Sequence, residues 1–161
     1  MLIVDLSGRG TMKALVLFDS KYGNTEKIAQ AIAVGLKEGG VESVDCRALS
    51  ASGEEDFREK DLWVLGTPTH YGSLPFRFSA LLKNALKEDH PGVRAAVFDT
   101  RMKDFPKGAE AKLRKLLEKK GKPVIADASF VVVGMRGPLA EGEEERARIF
   151  GKEIADSLFK N

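Results

Sequence analysis

Short apolar runs recur along this chain, each followed by a polar loop and then by a segment whose apolar residues fall on one helical face. This alternation limits the possible folds more than any other feature. The runs occupy residues 14–18, 43–49, 61–66, 93–98 and 124–134, the last with an irregularity at Asp127. Between them, residues 25–37 carry Ile28, Ala29, Ile32 and Leu36 at helical spacing and end at Gly39-Gly40. Residues 75–86 present Phe78, Leu81, Leu82, Ala85 and Leu86 on one face, with Pro75 suited to a first turn. Residues 108–120 form a third helix closed by Gly121 and Pro123, and residues 143–159 a fourth, whereas residues 50–60 hold at most a short helix. Nearly uninterrupted apolar strands are buried on both faces, and right-handed crossovers place helices on each side of a parallel sheet. The expected fold is therefore α/β, a three-layer α/β/α sandwich around a five-stranded parallel sheet. The strand order does not follow from this pattern. Such sheets bind ligands beyond the carboxyl ends of their strands, where the order reverses. The loops after the first, third and fourth strands are thus the places to look for function.

The chain has 161 residues, enough for one domain with a substantial core. Residues 1–12 precede the first strong strand and are set aside as an amino-terminal extension or alternative start, leaving residues 13–161 as the domain. Lysine plus arginine (26) nearly balances aspartate plus glutamate (24), so no field argues for nucleic acid or a membrane. No apolar run approaches the roughly 20 residues that span a bilayer, and residues 1–12 are too short and too weakly charged for a signal peptide. The lone Cys46 excludes an intramolecular disulfide, a Cys-only metal site and a CxxC pair. It suits a reducing, cytoplasmic compartment and is expected to fill a small core position in the second strand. Any redox role would then need a cofactor.

After the first strand comes Asp19-Ser20-Lys21-Tyr22-Gly23-Asn24-Thr25, a short polar loop opening a helix. Unpaired amides at a helix amino terminus, joined by the Ser20, Asn24 and Thr25 side chains, can hold one anion. The alternative is that Asn24 or Thr25 caps the helix and Gly23 makes the turn. GxxxxGK[ST] and GxGxxG are both missing, which disfavours a nucleoside triphosphate and a dinucleotide and leaves a monophosphate. Val16-Leu17-Phe18, Ser20, Gly23, Thr25, Ala29 and Ile32 fill every position of a signature that resembles that of the flavodoxins. The resemblance covers residues 13–160. It implies a flavodoxin-like strand order 2-1-3-4-5, electron transfer as the function, FMN as the cofactor, and residues 20–25 as the contacts to its phosphate.

After the third strand, Gly66-Thr67-Pro68-Thr69-His70-Tyr71-Gly72-Ser73-Leu74-Pro75 could wrap a flat ring, with Tyr71 or His70 stacking and backbone groups at the ring edge. An ordinary strand-to-helix turn is the plain alternative. The Pro-Thr-x-x-Gly element is similar to that of flavodoxin-like proteins and of the tryptophan-repressor-binding-protein family of quinone reductases. That likeness implies flavin contacts from Pro68, Thr69, His70, Tyr71 and Gly72, with the Gly72 peptide able to turn toward flavin N5.

After the fourth strand, Asp99-Thr100-Arg101-Met102-Lys103 departs from the family pattern of a stacking tyrosine with acidic neighbours. Asp99, Thr100 and Arg101 are still expected at the cofactor, with Arg101 or Lys103 favouring its anionic reduced form. A segment at 137–143, Gly-Pro-Leu-x-x-Gly-Glu, is shared with small flavodoxin-family proteins that also carry Asp-Thr-Arg. His90 and Trp63 read as structural. Residues 101–122 hold nine Lys/Arg against three Asp/Glu, a solvated helix surface or a docking patch for an acidic electron-transfer protein or an anionic substrate. The leading expectation is an electron shuttle between redox partner proteins, or to a small electron acceptor, acting as a monomer or weak homo-oligomer. The alternative is an FMN-dependent NAD(P)H:quinone-type oxidoreductase. A phosphoreceiver fails because Thr67-Pro68 stands where its aspartate belongs, and a low-molecular-weight phosphatase fails for want of a cysteine in the first loop.

Overall fold

The computed structural model describes residues 11–69, 74–106 and 108–160; His70, Tyr71, Gly72 and residues 1–10 lie outside that set. In chain order the elements are β1 (Lys13–Phe18), α1 (Asn24–Glu38), β2 (Ser43–Ala48), β3 (Leu62–Pro68), α2 (Phe76–Ala85), β4 (Arg94–Met102), α3 (Ala109–Lys119), β5 (Val124–Val132) and α4 (Glu143–Phe159), with two short 3₁₀ turns between β2 and β3. The five strands are all parallel in the order β2-β1-β3-β4-β5. Chain direction across the sheet therefore reverses between β1 and β3, as expected.

The inner strands are the most apolar because both of their faces are covered. Val16, Val64, Ala96 and Phe98 pack under α1 and α4, while Leu15, Leu17, Leu65 and Val97 pack under α2 and α3. Helices α1 and α4 touch through their backbones. A Cβ on Gly35 would lie 2.0 Å from the Arg148 carbonyl oxygen, and one on Gly151 would lie 2.3 Å from that of Ile32.

Trp63 is fully buried; its indole N–H donates to the Phe57 carbonyl at 3.1 Å, and its ring meets Phe57 and His90 edge to face. His90 is buried against the Ala85 carbonyl at 2.8 Å, a packing role. Trp63→Phe removes a hydrogen bond and leaves a void. It should cost about 2 kcal/mol, a fall of roughly 4–8 °C in the thermal midpoint followed by circular dichroism.

Three details differ from the sequence expectation. Strand β4 runs to Met102, so Asp99, Thr100 and Arg101 are strand residues and not a loop. The reason is that β3 and β5 both extend far enough to pair them, Thr67 with Asp99 and Val131 with Arg101. The irregularity in β5 falls beside Ile125, where Val124 and Ala126 face consecutive residues of β4, and not at Asp127. Cys46 is exposed, because β2 is an edge strand with one side open. That edge carries ion pairs from Asp45 to Lys60 (3.3 Å) and from Arg47 to Asp56 (3.2 Å).

At the opposite edge, the outward groups of β5 are already engaged. The Val131 N–H donates to the Glu143 carboxylate at 2.7 Å, the Arg146 guanidinium donates to the Ser129 carbonyl, and the Ala140 N–H donates to the Val131 carbonyl at 2.8 Å. Arg146 also pairs with Glu143 at 2.8 Å and holds that carboxyl below the usual carboxylate range.

Candidate functional site

The carboxyl ends of β1, β3, β4 and β5 converge on one cleft, open to solvent. The loop from β1 supplies Ser20, Lys21, Tyr22, Asn24 and Thr25 to its wall. The Ser20 hydroxyl oxygen accepts the N–H groups of Gly23 (3.1 Å) and Glu26 (3.3 Å), tightening the loop under the first turn of α1. Gly23 stands just before the helix at φ 90°, a left-handed conformation that disfavours any side chain.

Neither Asn24 nor Thr25 caps the helix. The Asn24 amide group packs against Gly137, where a Cβ would lie 2.7 Å away, and the Thr25 hydroxyl meets that of Thr100 at 2.8 Å. Among the described residues, the backbone N–H groups of Asn24 and Thr25 have no acceptor. They stand at the positive end of the helix dipole, on the rim of the cleft, as an anion requires.

The far wall comes from the other strands. Pro68 ends β3 and Thr69 follows it, while Thr100, Arg101 and Met102 end β4. Phe105, Val132 and Met135 complete an apolar side. Nine of the residues singled out in sequence therefore share this cleft: Ser20, Lys21, Tyr22, Asn24, Thr25, Pro68, Thr69, Thr100 and Arg101. Two described ones do not line it. Gly23 only makes the turn. Asp99 is fully buried, because strand alternation turns it toward α2 and α3 while Thr100 faces α1. Met102, Phe105, Val132 and Met135 carry no signal in the sequence, since they come from the ends of β4 and β5 and the segments after them and meet only in the folded chain.

Lys21 and Arg136 flank the half-exposed Tyr22 ring at 5.4 and 5.8 Å. With Arg101 and Lys103 they form no ion pair among the described residues. Donors and cations for one anion thus adjoin an apolar wall. Such a donor set fits a ligand that joins one phosphate to an aromatic ring, and the described residues offer no cluster that could hold a metal.

Fold and cleft together define a mononucleotide-binding protein of the doubly wound α/β class. The chain belongs to the flavodoxin family, whose family model matches residues 16–150. A flavodoxin of Clostridium saccharobutylicum is 27% identical over 157 residues, covering 91% of this chain and 98% of the relative. Probable flavodoxin 2 of Bacillus subtilis is 30% identical over 148 residues, covering 89% and 94%. The structure of a flavodoxin from the domain Archaea superposes with a TM-score of 0.77 at 18% identity, over 92% of this chain and all of the other, which is a likeness of fold. The protein is accordingly an FMN-binding electron-transfer flavodoxin, as the sequence led us to expect. No helix among the described residues is long and apolar enough to cross a membrane.

Proposed function

We propose that the amino terminus of α1, with Ser20, Lys21, Asn24 and Thr25, holds the phosphate of FMN, and that Tyr22, Pro68, Thr69, Thr100 and Arg101 bound the slot for its ring system. His70, Tyr71 and Gly72, next in the chain after Thr69, join them on sequence grounds. The observation that carries this is the meeting, in one cleft, of unpaired helix amides with apolar strand ends. Bound FMN supplies one- and two-electron redox chemistry. The chain's own contribution is to bind, orient and shield. Helix amides and Lys21 neutralise the phosphate, Met102, Phe105 and Val132 exclude water from one side, and Arg101 favours negative charge in the slot. Titration of the purified chain with FMN, followed by fluorescence quenching, should give one tight site, and riboflavin should bind more weakly. No binding of FMN would overturn the assignment.

For the redox partner, the surface favours an acidic protein. Lys112, Lys115 and Lys119 lie exposed on one face of α3 around the half-buried Leu116, and Arg101 adds a positive charge in the cleft itself. Opposite charge on a partner steers encounter and raises the association rate by about tenfold or more at low salt. Replacing the three α3 lysines by glutamate should slow electron transfer to an acidic acceptor protein by about tenfold in stopped flow. Added salt should slow the wild type but speed the triple variant, whose patch now repels an acidic partner.

A further inference from the structure

Behind the cleft wall lies a carboxyl group that phosphate and ring binding do not use. Asp99 is the most deeply buried carboxylate among the described residues, at 0% exposure. Its Oδ2 accepts the Thr69 hydroxyl proton at 2.5 Å, while Oδ1 has no hydrogen-bond partner. No lysine or arginine among the described residues pairs with it. Burying a carboxylate in this way is costly, and an orphaned buried oxygen calls for a reason.

The reason offered by the geometry is Thr69. Its hydroxyl oxygen accepts the Ala109 N–H at 2.8 Å while its proton goes to Asp99, so both hydroxyl functions are committed. The approach is close: a Cβ on Gly108 would lie 2.0 Å from the Thr69 hydroxyl oxygen. Thr69 is itself a wall of the cleft and directly precedes residues 70–73. Asp99 and the amino terminus of α3 therefore decide how Thr69 is held, and they place a carboxyl group one hydroxyl away from the site. The cations that face the site from the other sides are Lys21 and Arg101.

Resting on the FMN assignment above, we propose that Asp99 is a positioning residue that sets the reduction potential of the bound cofactor through Thr69. Its charge disfavours the negative charge that electrons bring, and so offsets the pull of Lys21 and Arg101. The experiment is a spectroelectrochemical titration of the FMN-loaded wild type and of Asp99→Asn. The asparagine side-chain oxygen can still accept from Thr69, so the geometry is kept while the charge is lost. The midpoint potential should move to more positive values, equivalent to a gain of tenfold or more in the affinity for reduced over oxidised FMN. Asp99→Ser gives the same readout should the asparagine variant not fold. An unchanged or more negative potential in a folded, loaded variant would overturn the role of Asp99 alone. Failure of the wild type to take up FMN would overturn the site assignment itself.

Discussion

Ser20→Asp leaves the chain folded and weakens FMN binding at least a hundredfold, while riboflavin, which lacks the phosphate, binds within about threefold of wild type. The fold survives because aspartate, like serine, accepts helix-start amides, here those of Gly23 and Glu26, and its charge suits the amino-terminal end of the α1 dipole. The same charge faces the phosphate. Two like charges about 5 Å apart repel by roughly 3 kcal/mol at an effective dielectric constant near 20, which is about a hundredfold in Kd. Ser20→Ala is the milder control: it loses the acceptor, costing about 1 kcal/mol of helix stability, and one hydroxyl donor to the phosphate, but adds no charge. Calorimetric titration of both ligands separates the cases. Equal loss of FMN and riboflavin would show that residue 20 does not face the phosphate.

Gly35→Val should be the most damaging substitution distant from the cleft. A Cβ there meets the Arg148 carbonyl oxygen at 2.0 Å, a backbone atom of α4 that can yield only if the whole helix moves. Overpacking of this kind costs typically 1–3 kcal/mol and sometimes more. With backbone on both sides of the contact, a loss of about 4 kcal/mol is expected, read as a lower urea midpoint at unchanged slope. Gly151→Ala, which meets the Ile32 carbonyl, should lose less because alanine recovers part of the helix propensity. Wild-type midpoints in both variants would mean that α1 and α4 do not meet through their backbones.

Much of the architecture was legible from the chain because the inner strands are covered on both faces. Ala14 to Phe18 and Leu62 to Leu65 could be apolar throughout, and that continuity marks a parallel sheet. The edge strand β2 was harder. Its residues Asp45, Cys46 and Arg47 look outward or pair with charges, so Cys46 read as core when it is surface. The far end of β4 was missed because Asp99-Thr100-Arg101 has the polarity of a loop. These residues are held in a strand by neighbours on both sides, and only pairing partners distant in sequence reveal that.

The site was partly legible for a related reason. The phosphate end is local, since Ser20 to Thr25 lie in one turn and the helix that follows fixes their use. The ring end is assembled from β3, β4 and β5, and no spacing in the sequence brings Met102, Phe105 and Val132 together. Asp99 lay in the right segment but on the other side of the sheet, because alternation along a strand inverts with a shift of one residue.

Edge strands are templates on which other chains can polymerise, and the closure of β5 bears on that hazard. Along residues 129 to 133 the outward amides and carbonyls are taken by Glu143, Arg146 and the returning chain. A strand arriving there would have to break an ion pair and expel a loop before making its first hydrogen bond. At β2 the charged Asp45 and Arg47 oppose a flat apolar approach. A carrier that must collide constantly with other proteins can thereby be crowded without zipping into fibres.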